Sequence, residues 1–168
     1  MAVTKERFAQ GMTFQQYCDQ MGTNKDKFMQ FLGEIKIPDE DRAALGKLGR
    51  KLKVMVITED WCGDALYNVP VLAKMVEGNP NIELRVFLRD KNPDLMDQYL
   101  NQGMFRSIPV FAFFDESMTE VARFLERPKE QTEEIEKKML EVRRALRAER
   151  YMDWRGGVVK EIRSLLKA

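Results

Sequence analysis

The sequence predicts an α/β protein, a mixed four-stranded sheet with helices on both faces in a three-layer α/β/α sandwich, extended by helices at both ends. Three observations carry that expectation. Apolar runs at 51–58 (rich in β-branched residues), 82–88 and 109–114 alternate with segments of helical periodicity. The turn Asp115-Glu116-Ser117 folds the third run back as a fourth, Glu120 to Leu125, making a hairpin. Helical patterns fill the first fifty residues and everything after Pro128. Strands separated by helices read as parallel pairing, and a terminal hairpin adds antiparallel strands.

Each element has a local reason. Phe14, Tyr17 and Met21, then Phe28, Phe31 and Leu32, have helical spacing, with Met21-Gly22-Thr23-Asn24 as the break between two helices. Pro38-Asp39-Glu40 starts a short helix from Asp39 to about Leu48, which Gly49 ends. A helix over 64–76 carries Pro70 inside it, where a proline kinks the axis. Gly78-Asn79-Pro80-Asn81 is a turn. Asn92-Pro93-Asp94 caps a helix running to about Leu100, with Gly103 after its end. A long helix runs from Pro128 to about Tyr151, Arg155-Gly156-Gly157 breaks it, and Val158 to Leu166 forms a last one. The expected organisation is one domain over 1–168: a helical extension at 1–50, a βαβαββ core at 51–127 and C-terminal helices at 128–168.

With 168 residues, 44% apolar and 33% charged, the chain has the composition of a globular protein with a real core. A formal net charge of +1 argues against nucleic-acid or anionic-membrane partners. No apolar run reaches spanning length and the N-terminus has no apolar leader pattern, so the expected address is cytoplasmic. Two cysteines there read as free thiols rather than a staple. With no histidine, Cys–His catalysis and most zinc sites drop out; no metal or other cofactor is expected.

Cys62 is the chemical focus. It ends an apolar strand and opens a helix, where unpaired backbone N–H groups and the helix dipole favour a thiolate. Glu59, Asp60 and Asp64 crowd it with negative charge, which works the other way, and Arg106 is the candidate to offset them. Ala65 stands where a second thiol would complete Cys-x-x-Cys.

These motifs resemble the thioredoxin family. Trp61-Cys62-Gly63-Asp64-Ala65 resembles its Trp-Cys-Gly-Pro-Cys, and Pro70 falls where that family kinks its active-site helix. Arg106-Ser107-Ile108-Pro109 resembles its Arg-Gly-Ile-Pro segment, which implies a cis Pro109 facing Cys62. More narrowly, ITEDWCGDAL and FLRD resemble a bacterial subgroup carrying Trp-Cys-Gly-Asp. The resemblance spans about 52–125 and implies a thioredoxin-like fold. It departs at Ala65, at Asp64 in place of the proline, and at Val56, where thioredoxins bury an aspartate that serves the second thiol.

The leading functional expectation is a monothiol oxidoreductase. Cys62 attacks a protein disulfide or a mixed disulfide of a low-molecular-weight thiol, and release is completed in trans. Trp61, Gly63, Asp64, Ile108 and Pro109 form the expected substrate surface, with Ile108 backbone groups open to an extended peptide. Asp64 reads first as a helix-start carboxylate complementing the dipole, and second as a proton-transfer group. Cys18, beside the apolar face of the first helix, reads mainly as core filler and secondarily as a resolving thiol. The alternative class is a thioredoxin-like binding module without redox activity; a third is a peroxide-reducing or redox-sensing thiol. In the C-terminal helix, Ile135, Met139, Val142 and Leu146 recur at spacings of four, three and four among charged residues. That stripe reads as a face packed on the sheet with a solvated outer side, and the helix's far end as a segment to pack against the N-terminal helices or a second copy in a homodimer.

Overall fold

The structure, a computed structural model, describes residues 3–47 and 49–165. The chain forms two compact units, 1–127 and 128–168. In the first, helices α1 (Lys5–Ala9), α2 (Phe14–Gln20), α3 (Lys25–Glu34) and α4 (Asp39–Gly46) precede strand β1 (Leu52–Thr58). Then come α5 (Gly63–Val76), β2 (Ile82–Leu88), a 3-10 turn Arg89–Lys91, α6 (Pro93–Met96), β3 (Val110–Phe114) and β4 (Glu120–Leu125). The sheet order is β2-β1-β3-β4; β1 runs parallel to β2 and antiparallel to β3, and β3 antiparallel to β4. This is the expected mixed sheet of a thioredoxin-like α/β fold.

Strand alternation sorts the core into two layers. Met55 and Ile57 face a cluster with Phe8, Phe87, Leu95, Met96 and Tyr99. Val54 and Val56 face the opposite cluster, which holds Tyr17, Phe28, Ala65, Val69 and Leu72. The N-terminal helices are therefore core elements. Phe8 of α1 fills one layer, and Tyr17 and Phe28 meet edge to face at 5.8 Å in the other. Between α1 and α2 the chain crosses the edge of β2, where Met12 and Val86 exchange backbone hydrogen bonds of 2.9 and 2.8 Å. Gly11 permits that crossing, since a Cβ there would lie 2.6 Å from the Phe87 ring. The crossing also covers part of an otherwise open strand edge.

Two expectations need correction. The helix expected from Asn92 to about Leu100 is only α6. After Met96, Gln98 N–H donates to Leu95 O (3.1 Å) and Tyr99 N–H to Met96 O (3.0 Å), three-residue bonds that tighten the chain instead of propagating an α-helix. At the C-terminus, Gly156-Gly157 does not break the helix: α7 runs unbroken over Lys129–Leu165. Each glycine costs about 1 kcal/mol relative to alanine but keeps its N–H, so the hydrogen-bond ladder of a long helix can run through both. Leu48 and Leu166, the expected ends of two helices, lie outside the described residues. Among the described residues, no helix is long and apolar enough to cross a membrane.

Candidate functional site

Cys62 stands at the end of the sheet where the two core layers meet; it packs against both clusters and is half-buried. It is the N-cap of α5, with extended backbone (φ −78°, ψ 124°), so its sulfur turns back over the first helical turn and accepts the Ala65 N–H at 3.5 Å. Across the cleft the Ile108–Pro109 peptide is cis, and the Cys62 S–H donates to the Ile108 carbonyl at 3.4 Å. Antiparallel pairing makes that approach possible. The chain leaves β1 and enters β3 at the same end of the sheet, with Ile57 opposite Val110. Pro109 is itself pinned, because its carbonyl accepts the Glu126 N–H at 2.7 Å.

Burial pushes the Cys62 thiol above its ordinary value; the backbone N–H groups of Ala65 and Asp64 pull it down, the Asp64 carboxylate raises it and Arg89 lowers it. Desolvation therefore outweighs the helix-start N–H groups expected to favour a thiolate. Val56 and Ala65 lie fully buried in one apolar cluster. Neither carries a second thiol or a base to serve one.

The acidic residues around Cys62 are each held by a partner. Glu59, 7% exposed, accepts the Asp90 N–H at 2.8 Å, and burial raises its carboxyl. Asp60 accepts the N–H groups of Gly22 and Thr23 at 2.8 and 3.0 Å, while the Asn24 carboxamide donates to the Asp60 carbonyl at 3.0 Å. This clamps the α2–α3 turn to the loop before Cys62. Asp64 accepts from Arg127 at 2.9 Å, and Arg127 also pairs with Glu126. Asp64 is thus a partner of Arg127 as well as an early helical acid.

Arg106 does not serve Cys62. Its guanidinium forks onto Asp97 at 2.7 and 2.9 Å. The nearby cation is Arg89, whose guanidinium carbon lies 4.7 Å from the centroid of the Trp61 ring and whose charge acts on Cys62. Sequence reasoning passed over Arg89. The available signal was topological: β1 and β2 are parallel and pair Thr58 with Leu88, so the residue after Leu88 emerges beside the loop after Thr58. Trp61 is 46% exposed, Gly63 is open, and Ile108 and Pro109 are buried. Trp61, Cys62, Gly63, Asp64, Ile108 and Pro109 do gather at one end of the sheet. Cys18 is buried with Tyr17, Met21 and Phe28, and desolvation raises its thiol. That is the environment of core filler.

Among the described residues, no cluster of three or more Cys, Asp or Glu could hold a metal ion. Fold and site together define a thioredoxin-fold protein in which one cysteine opens the active-site helix opposite a cis proline. A model of the thioredoxin family matches residues 11–142, and the chain belongs to that family. The match begins at residue 11 and so takes in α2 and α3.

A protein of unknown function from Pseudomonas aeruginosa is similar: 26% identical, TM-score 0.66, covering 77% of this chain and 80% of that one. An HIV epitope scaffold is 25% identical with a TM-score of 0.66, over 76% and 79% of the two chains. A thioredoxin from Fasciola hepatica is 22% identical over 58% of this chain and 88% of that one, with a TM-score of 0.38. None of the curated proteins matches.

Proposed function

We propose that the protein is a monothiol thiol–disulfide oxidoreductase acting through Cys62. Its substrates are protein disulfides or mixed disulfides of low-molecular-weight thiols. The observation that carries this reading is the half-buried Cys62 sulfur, 3.5 Å from the Ala65 N–H and 3.4 Å from the Ile108 carbonyl. In the reaction the Cys62 thiol gives its proton to solvent and the resulting thiolate attacks one sulfur of the substrate. The substrate S–S bond breaks, its second sulfur leaves as a thiolate and takes a proton, and Cys62 is held in a mixed disulfide. An external thiolate then attacks the substrate sulfur of that mixed disulfide, forming a new disulfide and returning Cys62. Trp61 and the Ile108 backbone hold the substrate chain. A reducing compartment such as the cytoplasm supplies the external thiol and keeps Cys62 free.

A mixed-disulfide exchange assay with a small thiol tests this. Wild type and Cys18→Ser turn over, whereas Cys62→Ser does not. Turnover by Cys62→Ser, or none by wild type at any pH, rules the reading out.

One specific observation favours a second reading, a redox-inactive binding module: the fully buried Ala65 and Val56 beside Cys62 are apolar and offer it neither a second thiol nor a base. On that reading Cys62→Ser keeps partner binding and Trp61→Ala loses it.

A further inference from the structure

We propose that α7 pairs antiparallel with α7 of a second copy through Ile135, Met139, Val142 and Leu146. This does not depend on the function of Cys62. Described by itself, α7 presents these residues as one stripe, with Met139 49%, Val142 56% and Leu146 39% exposed. Ile135, Met139 and Val142 line a shallow apolar groove edged by Lys138 and Arg143. Their four-three-four spacing is that of alternating d and a positions in a heptad.

The spacing reads the same in both directions. An antiparallel second copy therefore sets Ile135 opposite Leu146 and Met139 opposite Val142, each contact occurring twice. A parallel copy would match the apolar layers equally well, so the flanking charges decide. In the parallel arrangement Lys138 of one helix faces Arg143 of the other, twice, and like charges repel. Within the four layers of the antiparallel arrangement Glu136 faces Arg143, twice, and Lys138 faces the neutral Ala145; just beyond them Lys129 comes opposite Arg150, each already paired along its own helix with Glu133 and Asp153. The helix dipoles also oppose one another only in the antiparallel pair. Within α7, Glu134 pairs with Lys138, which holds that lysine at the stripe's edge.

Four apolar layers span about 17 Å at 1.5 Å per residue, which is short for a two-stranded coil. The association is accordingly concentration-dependent. Val158, Ile162 and Leu165 are exposed too but fall on another face, because Glu149 and Asp153 interrupt the first stripe's phase. They do not extend this contact.

Light scattering on the full chain across a concentration series tests the pairing. The mass rises from 19.7 kDa toward twice that value. Met139→Glu holds it at one chain, Glu136→Arg weakens the association at least tenfold, and adding Arg143→Glu to Glu136→Arg restores it. In a Cys62→Ser background, Met139→Cys chains mixed with Val142→Cys chains cross-link on mild oxidation. The inference is overturned by a single-chain mass at every concentration or by Met139→Cys cross-linking preferentially to itself. It is equally overturned if Met139→Glu lowers the melting temperature of a monomer, which would mean the stripe is covered by its own chain.

Discussion

The S–H of Cys62 points at the carbonyl oxygen of Ile108, 3.4 Å away, so the chain's half-buried sulfur and the peptide preceding its cis proline are hydrogen-bonding partners. A substrate strand that pairs with Ile108 competes for the same oxygen.

That partnership goes with a thiol raised above the ordinary value. The exchange rate of Cys62 should climb with pH and level off only above the ordinary thiol value, tracked by thiolate ultraviolet absorbance. Because folding raises this pKa, the fold keeps the associated stability below the unfolded-state value and loses it as pH rises through the folded one. Cys62→Ser should flatten that alkaline decline. A titration centred below the ordinary thiol value would contradict the burial argument.

Arg89 should matter where Arg106 does not. Arg89→Ala removes the charge that lowers the Cys62 thiol and the cation over Trp61, worth about 0.5–1 kcal/mol at a partly exposed site. The thiol should move up further and exchange should slow at neutral pH. Arg106→Ala, which breaks only the fork to Asp97, should leave both unchanged. Equal effects from the two substitutions would show that net charge, not position, governs the sulfur.

Asp60 joins the N-terminal helices to the site loop. Asp60→Ala should cost about 1.5–3 kcal/mol in urea unfolding, since two backbone N–H groups lose a charged acceptor. Amide exchange at Gly22 and Thr23 should accelerate before global unfolding. Unchanged protection at those two amides would mean the clamp contributes nothing.

Glu59 gives a pH test of the same sign in the acid range. Its carboxyl is raised by burial, so the fold is relatively favoured below the ordinary carboxylate range and penalised as pH rises through the folded value. Glu59→Gln retains an oxygen for the Asp90 N–H and carries no charge. It should be more stable than wild type at pH 7, with the difference shrinking toward pH 4. A variant less stable at neutral pH would assign the carboxylate a partner stronger than that amide.

Much of the architecture follows from local pattern. The limits of β2 and β4 agree with their apolar runs, and the Met21–Asn24 interruption separates α2 from α3 as its turn residues imply. The cysteine's placement and its missing partner could also be read directly, because Trp61 to Ala65 are contiguous. Propensity failed where tertiary packing overrode it. Burial of Leu95, Met96 and Tyr99 goes with the tightening after α6, whereas α7 runs through its two glycines because a glycine weakens a helix without removing its N–H.

What the linear chain determined by itself was which residue carries sulfur at a helix start and which positions cannot help it. Only tertiary structure decided the charges that sulfur keeps company with: Arg89 instead of Arg106, and Asp64 paired with Arg127. The reason is physical. Helix starts and apolar runs are set by neighbours within a few residues, whereas desolvation and charge at a site depend on strand register between segments dozens of residues apart.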